Sequence, residues 1–218
     1  MSGSGIFITF EGIEGCGKTT QIKRVADMLR THGHQVTLTR EPGGCPIADD
    51  IRAILLNSAN TALVPMAELL LYAAARAQHV AEVIQPALQR GDIVLCDRFC
   101  DATIAYQGYG RRLDRHTITQ LNACACATLQ PDLTVVIDLD VAHSVARARR
   151  RNANNGHSDE NRFELEELAF HNRVRNGYME LARQNPTRIT VVAGDGDEDE
   201  VFTAVATVIT QQIEGKTT

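Results

Sequence analysis

The sequence predicts a three-layer α/β domain, in which five parallel strands form a sheet covered on both faces by helices. Five short apolar runs recur along the chain, at residues 6–10, 35–39, 92–96, 134–139 and 189–193. The segments between them are long enough for helices, and continuous apolar strands separated by helices are typical of a parallel sheet. No internal repeat, proline-rich linker or low-complexity tract divides the chain. We therefore expect a single domain over residues 1–218.

Composition excludes several classes of function. The formal net charge of -5 gives no overall basic field, so a nucleic-acid partner is not expected and a nucleic-acid motor is disfavoured. No apolar run approaches the roughly 20 residues of a membrane span, and the N-terminus lacks the pattern of a secretory signal. The six cysteines form no C-x-x-C pair, which favours reduced thiols over a zinc site. We expect a cytoplasmic protein with no membrane partner.

The first strand leads directly into a glycine-rich pattern that binds phosphate. The stretch FEGIEGCGKTTQ, residues 10–21, has the spacing G-x-x-x-x-G-K-[ST], and apolar residues recur after it at helical spacing. Such a loop turns its N–H groups inward at a helix N-terminus, where Lys18 reaches the β and γ phosphates and Thr19 binds magnesium. The predicted ATP-binding residues are Gly12, Ile13, Glu14, Gly15, Cys16, Gly17, Lys18, Thr19 and Thr20.

The ends of the second and third strands predict where the phosphoryl acceptor binds. The loop alone leaves the acceptor open, because ATPases, GTPases, motors and small-molecule kinases share it. Arg40 lies in the stretch TREPGG after the second strand, and Asp97 and Arg98 end the third. Open α/β folds bind ligands at the carboxyl edge of the sheet, where an Asp holds magnesium and an Arg offers a bidentate fork for phosphate.

The helix predicted over residues 65–85 has two different faces at 3.6 residues per turn. We expect an apolar stripe to face the core, made of Leu70, Ala73, Ala77, Val80 and Ile84. A second face carries Glu68, Tyr72, Arg76 and His79. An aromatic ring one turn from an Arg suits a flat ligand ring with polar edges, although the helix read alone also fits an ordinary solvated face.

An arginine-rich segment predicts a mobile flap. Residues 147–164, RARRRNANNGHSDENRFE, are basic, then rich in Asn and Gly, then acidic, with few core-forming residues. Such a composition between two helices indicates a loop that moves over a site. We place this flap at approximately residues 147–162. The acidic run at 195–200 is interpreted as the first turn of the last helix and not as a metal site.

Taken in order and spacing, these stretches resemble the thymidylate kinase family. The resemblance is carried by FEGIEGCGKTTQ, TREPGG, LLYAAARAQHV, CDRFCDATIAYQG and the arginine-rich flap, and spans almost the whole chain. It implies the P-loop nucleotide kinase fold and transfer of the ATP γ-phosphoryl group to dTMP with Mg²⁺. The product would be dTDP, a precursor of dTTP. The family also implies a homodimer.

The resemblance implies how the thymine and sugar are bound. Tyr72 sits where the family stacks an aromatic ring on thymine, and Arg76 where an Arg hydrogen-bonds the base. Thr103 and Gln107 fall in the stretch that reads the pyrimidine edge. Tyr106 takes the position of a ring that crowds the sugar 2′ position and disfavours a ribonucleotide.

The resemblance also assigns the phosphate and metal contacts. Arg40 and Arg98 would hold the dTMP phosphate, and Glu14 would lie near the acceptor's sugar and phosphate. Asp97 would lie near the metal, together with Thr19. No general base is expected, because the acceptor phosphate is already anionic at neutral pH. Catalysis then rests on alignment and charge neutralisation.

The phosphate loop lacks the Arg that some members of the family carry there, so the flap is expected to supply it. We expect Arg149 to close over the transferring phosphoryl group, with Arg147 as the second choice. An Arg that arrives only on closure stabilises the transition state and excludes water. The predicted catalytic residues are Lys18, Arg98, Arg149, Arg147 and Glu14.

Two alternative functions remain open. Another nucleoside or nucleotide kinase of the same fold would differ only in its acceptor, and Tyr72, Arg76, Thr103 and Tyr106 together argue against it. A non-catalytic ATP-sensing module would have no need of an acceptor pocket. A panel of acceptors distinguishes these hypotheses.

Overall fold

A computed structural model describes residues 5–126, 129–155, 162–163 and 165–217. Its strands form one parallel sheet in the order β2-β3-β1-β4-β5. The strands are β1 Ile6–Glu11, β2 Val36–Arg40, β3 Ile93–Asp97, β4 Leu133–Asp138 and β5 Ile189–Ala193. Each lies within one residue of its predicted position, which confirms the parallel sheet.

Helices connect the strands and cover both faces. They are α1 Lys18–Thr31, α2 Pro46–Leu56, α3 Pro65–His79, α4 Gln85–Gln89, α5 Cys100–Thr103, α6 Arg115–Cys126, α7 Val141–Asn155, α8 Leu168–Gln184 and α9 Glu198–Thr217. A π-helical turn, Val80–Ile84, joins α3 to α4, and a second, Ile104–Gly110, continues α5. None of the helices in the described ranges is both long and apolar enough to cross a membrane.

The core lies on both faces of the sheet. Phe7 of β1 packs in a cluster with Ile84 of the π-helical turn, whereas its neighbour Ile8 packs in a second cluster with Val25 of α1. Successive strand residues point to opposite faces, so both faces of β1 are buried. This arrangement confirms the three-layer architecture and leaves the carboxyl edge of the sheet for the site.

The predicted apolar stripe of α3 is wrong in its first half. Val80 and Ile84 are buried, but Leu70 is 49% exposed and Ala77 is exposed. The opposite face, with Arg76, is buried instead, because its charged groups pair with one another inside the protein. The π-helical turn adds a residue to its turn, so residues before and after it do not continue one straight stripe.

The segment predicted as a flap begins as a helix. Residues 147–155 form the C-terminal part of α7, which ends at Asn155. Residues 156–161 and Glu164 of the predicted flap lie outside the described residues. The mobility of the segment therefore stays a prediction.

Candidate active site

A cavity of about 810 Å³ lies at the carboxyl edge of the sheet, beside the phosphate loop. Most of the predicted site residues line it: Glu14, Gly15, Cys16, Gly17, Lys18, Thr19, Thr20, Arg40, Tyr72, Arg76, Asp97, Arg98, Thr103, Tyr106, Gln107 and Arg147. Gly12, Ile13 and Arg149 are not among its lining residues. One cavity thus joins the loop that follows β1 to the ends of β2 and β3.

The phosphate loop turns between β1 and α1 with its lysine folded back onto it. Gly15 has a φ of 80°, and a Cβ there would lie 2.1 Å from the Ser144 carbonyl oxygen of α7, so only glycine fits. The Lys18 ammonium donates to the carbonyl oxygens of Gly12 and Ile13, both at 2.9 Å. Its charge therefore lies at the mouth of the anion-binding loop.

Thr19 and Asp97 meet although they come from different elements. The Thr19 hydroxyl donates to Oδ2 of Asp97 at 3.1 Å, which places two oxygen ligands side by side beside the loop. Oxygen ligands of this kind suit Mg²⁺, which is held by few protein groups together with substrate phosphates. Elsewhere in the ranges the structure describes, no group of three or more His, Cys, Asp or Glu side chains could hold a metal.

Glu14, Arg98 and Tyr106 form a hydrogen-bonded cluster in the cavity wall, in which Tyr106 is buried and the two charged side chains are partly buried. Glu14 Oε1 accepts from Arg98 Nη2 at 3.0 Å and from the Tyr106 hydroxyl at 2.7 Å. The Arg98 guanidinium also lies 4.7 Å from the centre of the Tyr106 ring. Burial raises the pKa of the Glu14 carboxyl, but the charges of Arg98 and Lys18 outweigh burial, and the net shift is downward. Glu14 is thus an anion held among cations.

Arg76 lies at the deep end of the cavity and is only 2% exposed. It donates to Glu41 at 2.7 Å, Asn122 at 2.8 Å, the Phe99 carbonyl at 3.1 Å and Thr103 at 2.9 Å. These bonds use four of the five N–H groups of its guanidinium, so among described residues one Nη1 hydrogen is left for a ligand. Sequence reasoning missed Asn122; the TREPGG stretch places Glu41 beside Arg40 at this edge of the sheet, but Glu41 was not among the predicted site residues.

Three of the predicted acceptor-binding residues, Gln107, Tyr72 and Tyr106, contact side chains that were not predicted as site residues. Gln107 donates to Glu68 at 2.8 Å, so the NH₂ group of its amide already has one hydrogen-bond partner. The ring of Phe163 lies 5.5 Å from that of Tyr106 and 6.5 Å from that of Tyr72. Burial raises the pKa of the Tyr72 hydroxyl. Sequence reasoning missed Phe163, because it lies in the segment interpreted as a flap.

The other end of the cavity is formed by the segment between β5 and α9 together with the start of α9. The segment contributes Gly194, Gly196 and Asp197, and α9 contributes Glu198 and Val201. Gln21 of α1 donates to the Glu198 carbonyl at 3.0 Å, which ties this segment to the helix that follows the phosphate loop. Sequence reasoning missed it. The rule that ligands bind at the carboxyl ends of parallel strands was the available signal.

A family model described as thymidylate kinase matches residues 10–205. The thymidylate kinase of Geobacter sulfurreducens is 58% identical over 209 residues, covering 96% of this chain and 98% of the relative. The chain belongs to the thymidylate kinase family. A second family member, the thymidylate kinase of Syntrophotalea carbinolica, is 62% identical over 195 residues, covering 89% of this chain and 90% of that relative.

The fold agrees with a solved thymidylate kinase structure. The crystal structure of the enzyme from Ehrlichia chaffeensis matches with a TM-score of 0.76 at 37% identity, covering 95% of this chain and 99% of that one. The likeness to the thymidylate kinase family found in the sequence is therefore confirmed over nearly the full chain. The roles of single residues stay proposals.

The two candidate flap arginines, Arg147 and Arg149, lie in different surroundings. Arg147 and Arg149 are both exposed on α7, but only Arg147 lines the cavity. The charge of Arg149 acts on His171 of α8, whose pKa is lowered first by burial and further by this neighbour. His171 Nδ1 lies 3.6 Å from Glu14 Oε2. Geometry thus favours Arg147, the second choice from the sequence.

Proposed function

We propose that the chain transfers the γ-phosphoryl group of ATP to dTMP, giving dTDP, with Mg²⁺ bound beside the phosphate loop. The observation that carries this proposal is the continuity of the cavity, which runs from the β5–α9 segment past the phosphate loop to Arg76. A donor nucleotide and an acceptor nucleotide placed in it end to end have their phosphates near Lys18 and Arg98. Membership of the thymidylate kinase family supports dTMP as the acceptor.

The donor end is assigned from the loop and its neighbours. The phosphates of ATP lie against the N–H groups of the phosphate loop, and Lys18 leaves the Gly12 and Ile13 carbonyls to reach them. Thr19 and Asp97 would hold Mg²⁺, which when bound would supply positive charge to neutralise the phosphates. The adenine lies toward the β5–α9 segment, because that segment forms the end of the cavity opposite Arg76.

The acceptor end is assigned from the remaining lining residues. Thymine lies by Tyr72, with its edge toward the free Nη1 hydrogen of Arg76 and toward Thr103 and Gln107. Its phosphate lies by Arg98.

Arg40 stands farther out, where its guanidinium already pairs with Asp49 at 2.9 Å. Arg40 is therefore a secondary phosphate contact, because it must leave Asp49 to bind the phosphate of dTMP. The Tyr106 ring, held by its hydroxyl on Glu14, stands beside the position of the sugar.

Charge neutralisation, and not proton abstraction, drives the reaction in this site. The transferring phosphoryl group passes between Lys18 and Arg98 while Arg147 approaches from α7. These cations stabilise charge on the equatorial oxygens of the transition state. Glu14 Oε1 accepts from Arg98 Nη2 at 3.0 Å, and this bond keeps the guanidinium directed into the cavity.

We also propose a homodimer formed through α2 and α3. These helices and the segment between them expose large apolar side chains: Ile47 at 54%, Ile54 at 47%, Val64 at 59%, Met66 at 43% and Leu70 at 49%. Large apolar side chains exposed in this number on two neighbouring helices suit an interaction site, and a two-fold axis would pair the helices with their copies. Light scattering after size exclusion tests the proposal: Leu70→Glu should give a monomer where the wild-type chain gives a dimer, and Leu168→Glu, exposed on α8, should not. A monomeric wild type contradicts it.

The activity is tested by a coupled ADP-release assay with ATP and magnesium. The acceptors are dTMP, dUMP, dCMP, dGMP, AMP and thymidine, and the product is identified by chromatography. Selective turnover of dTMP to dTDP is the expected result. Selective turnover of another acceptor supports the related-kinase alternative, and ATP binding without any phosphorylated product supports the sensing module.

A further inference from the structure

Tyr178 of α8 lies between the carboxyl group of Glu11, buried at the end of β1, and Arg98 of the cavity wall. It is only 1% exposed, and its hydroxyl donates to Glu11 Oε2 at 2.7 Å. The hydroxyl oxygen of Tyr178 also accepts a hydrogen bond from Arg98 Nη1 at 3.1 Å. Tyr178 does not line the cavity, and no motif in the sequence includes it. It contacts the cavity wall through Arg98 and through the edge of the Tyr106 ring, whose centre lies 6.4 Å from that of Tyr178.

Arg98 needs such a partner because of how it leaves the sheet. Its φ is 72°, in the left-handed region, and its N–H donates to the Phe10 carbonyl at 2.9 Å. A long side chain leaving this turn has many rotamers, and fixing it costs conformational entropy. Glu14 holds Nη2 and Tyr178 holds Nη1. Together they fix both ends of the fork that a phosphate requires.

Glu11 sets the direction of the Tyr178 hydroxyl. Its Oε1 accepts from the N–H groups of Phe99 at 2.8 Å and Ala102 at 3.2 Å, so the carboxylate cannot rotate freely. Because Oε2 takes the hydroxyl hydrogen of Tyr178, the lone pairs of that oxygen are left for Arg98. A buried acid of β1 thus orients the arginine that follows β3 through a tyrosine of α8.

We propose that Tyr178 is a positioning residue for phosphate binding, which holds the Arg98 guanidinium toward the acceptor phosphate and is itself oriented by Glu11. This rests on the proposed function in one respect, namely that Arg98 binds the phosphate of dTMP. A purely packing role for Tyr178 would affect every ligand of the pocket equally. A positioning role affects only ligands that carry the phosphate.

The test compares binding of dTMP with binding of thymidine, which lacks the phosphate, by calorimetry at about pH 8. At this pH the Glu11 carboxyl, whose pKa burial raises to about 7, is mostly ionised. Tyr178→Phe should weaken dTMP binding about tenfold or more, the size expected for one hydrogen bond to a charged group, and leave thymidine within about twofold. Retained thymidine binding shows that the pocket is folded.

Tyr109→Phe is the matched control. The Tyr109 hydroxyl also accepts from an arginine, Arg115 Nη1 at 2.7 Å, and its ring packs on Gly177 of the same helix, but it does not line the cavity. Both affinities should be unchanged in this variant.

A second variant keeps the inference testable if Tyr178→Phe is unstable. In Glu11→Gln the amide oxygen stays on the Phe99 and Ala102 N–H groups, which places the amide NH₂ against Tyr178. The tyrosine oxygen then accepts from Gln, and its hydrogen turns toward Arg98. This variant should also weaken dTMP binding and leave thymidine binding unchanged.

Arg98→Ala distinguishes a failure of the positioning role of Tyr178 from a failure of the phosphate-binding role of Arg98. Loss of dTMP affinity in Arg98→Ala and in Tyr178→Phe, with no further loss in the double variant, supports positioning. Loss in Arg98→Ala with none in Tyr178→Phe overturns the positioning role but keeps the phosphate site. Equal loss of dTMP and thymidine in Tyr178→Phe also overturns it. Unchanged dTMP binding in Arg98→Ala overturns the phosphate assignment itself, and the inference with it.

Discussion

Arg98 Nη2 donates to Glu14 Oε1 at 3.0 Å across a sequence separation of 84 residues. This pair joins the phosphate loop to the end of β3, and so connects the donor end of the cavity to its acceptor end. Tyr106 donates to the same carboxylate oxygen. The side chains that share Glu14 are therefore best tested together.

Tyr106→Ala should reduce discrimination between dTMP and its ribonucleotide counterpart by about tenfold in kcat/KM, because the ring beside the sugar is lost. Tyr106→Phe is the matched control, since it removes only the hydroxyl on Glu14 and keeps the ring. Discrimination should survive in the control even if its rate falls. A ratio unaltered in Tyr106→Ala would place the 2′ selection elsewhere.

Arg147→Ala should lower kcat at least about tenfold with little change in KM for dTMP, because the side chain contributes mainly in the transition state. Arg147 lines the cavity, whereas Arg150, also exposed on α7, does not, so Arg150→Ala serves as the control. Steady-state kinetics of both variants, with Arg149→Ala alongside, decide the matter. A larger loss in Arg149→Ala would restore the first choice made from the sequence.

Glu11 should make the protein less stable as pH rises from about 5 to 7. Burial raises the pKa of this carboxyl from 4.5 to about 7; nearby Asp101 adds to the shift, while Arg98, Tyr178 and the Phe99 N–H oppose it. Between these values the folded chain holds a proton that the unfolded chain has lost. The free energy of unfolding then falls with pH by up to about 1.4 kcal/mol per unit, and levels off above about 7.

Urea denaturation of the wild type and of Glu11→Gln over this pH range measures that contribution. Because glutamine does not titrate, the free energy of unfolding of the wild type minus that of the variant isolates Glu11. The difference should decrease as pH rises. A difference that is constant or grows with pH would contradict the raised pKa.

Gly15→Ala should destabilise the protein and weaken ATP binding. The new Cβ would meet the Ser144 carbonyl at 2.1 Å, so the loop and α7 must separate. Gly33→Ala is the control, since Gly33 also has a positive φ, 86°, but has nothing within 4 Å of the added atom. The control should lose only about 1 kcal/mol of its free energy of unfolding, the cost of a positive φ for a residue with a Cβ, and should bind ATP normally. Equal thermal shifts in the two variants would show that the contact is unimportant.

The sheet was predictable because its signals are local. Each strand is an apolar run between polar segments, and the phosphate loop is a contiguous motif between β1 and α1. The positions of Asp97 and Arg98 followed from the rule that parallel strands bring their carboxyl ends to one edge. These features needed no knowledge of tertiary packing.

The errors and omissions concern tertiary contacts. The exposed Leu70 and buried Arg76 of α3 reverse the usual burial preference, since Arg76 has buried partners from three other segments. Tyr178 and Glu11 are 167 residues apart and belong to no motif. Such networks are visible only once the chain is folded, because no local pattern specifies a partner at that distance.

The most direct test of the central claim is inhibition by a compound in which a polyphosphate chain joins adenosine to thymidine. If one cavity holds ATP and dTMP end to end, a single molecule of this compound should bind per chain and compete with both substrates. Arg98→Ala should weaken it, because the phosphate chain passes that residue. Competition with ATP alone, leaving dTMP kinetics unaffected, would contradict a shared cavity and place the acceptor elsewhere.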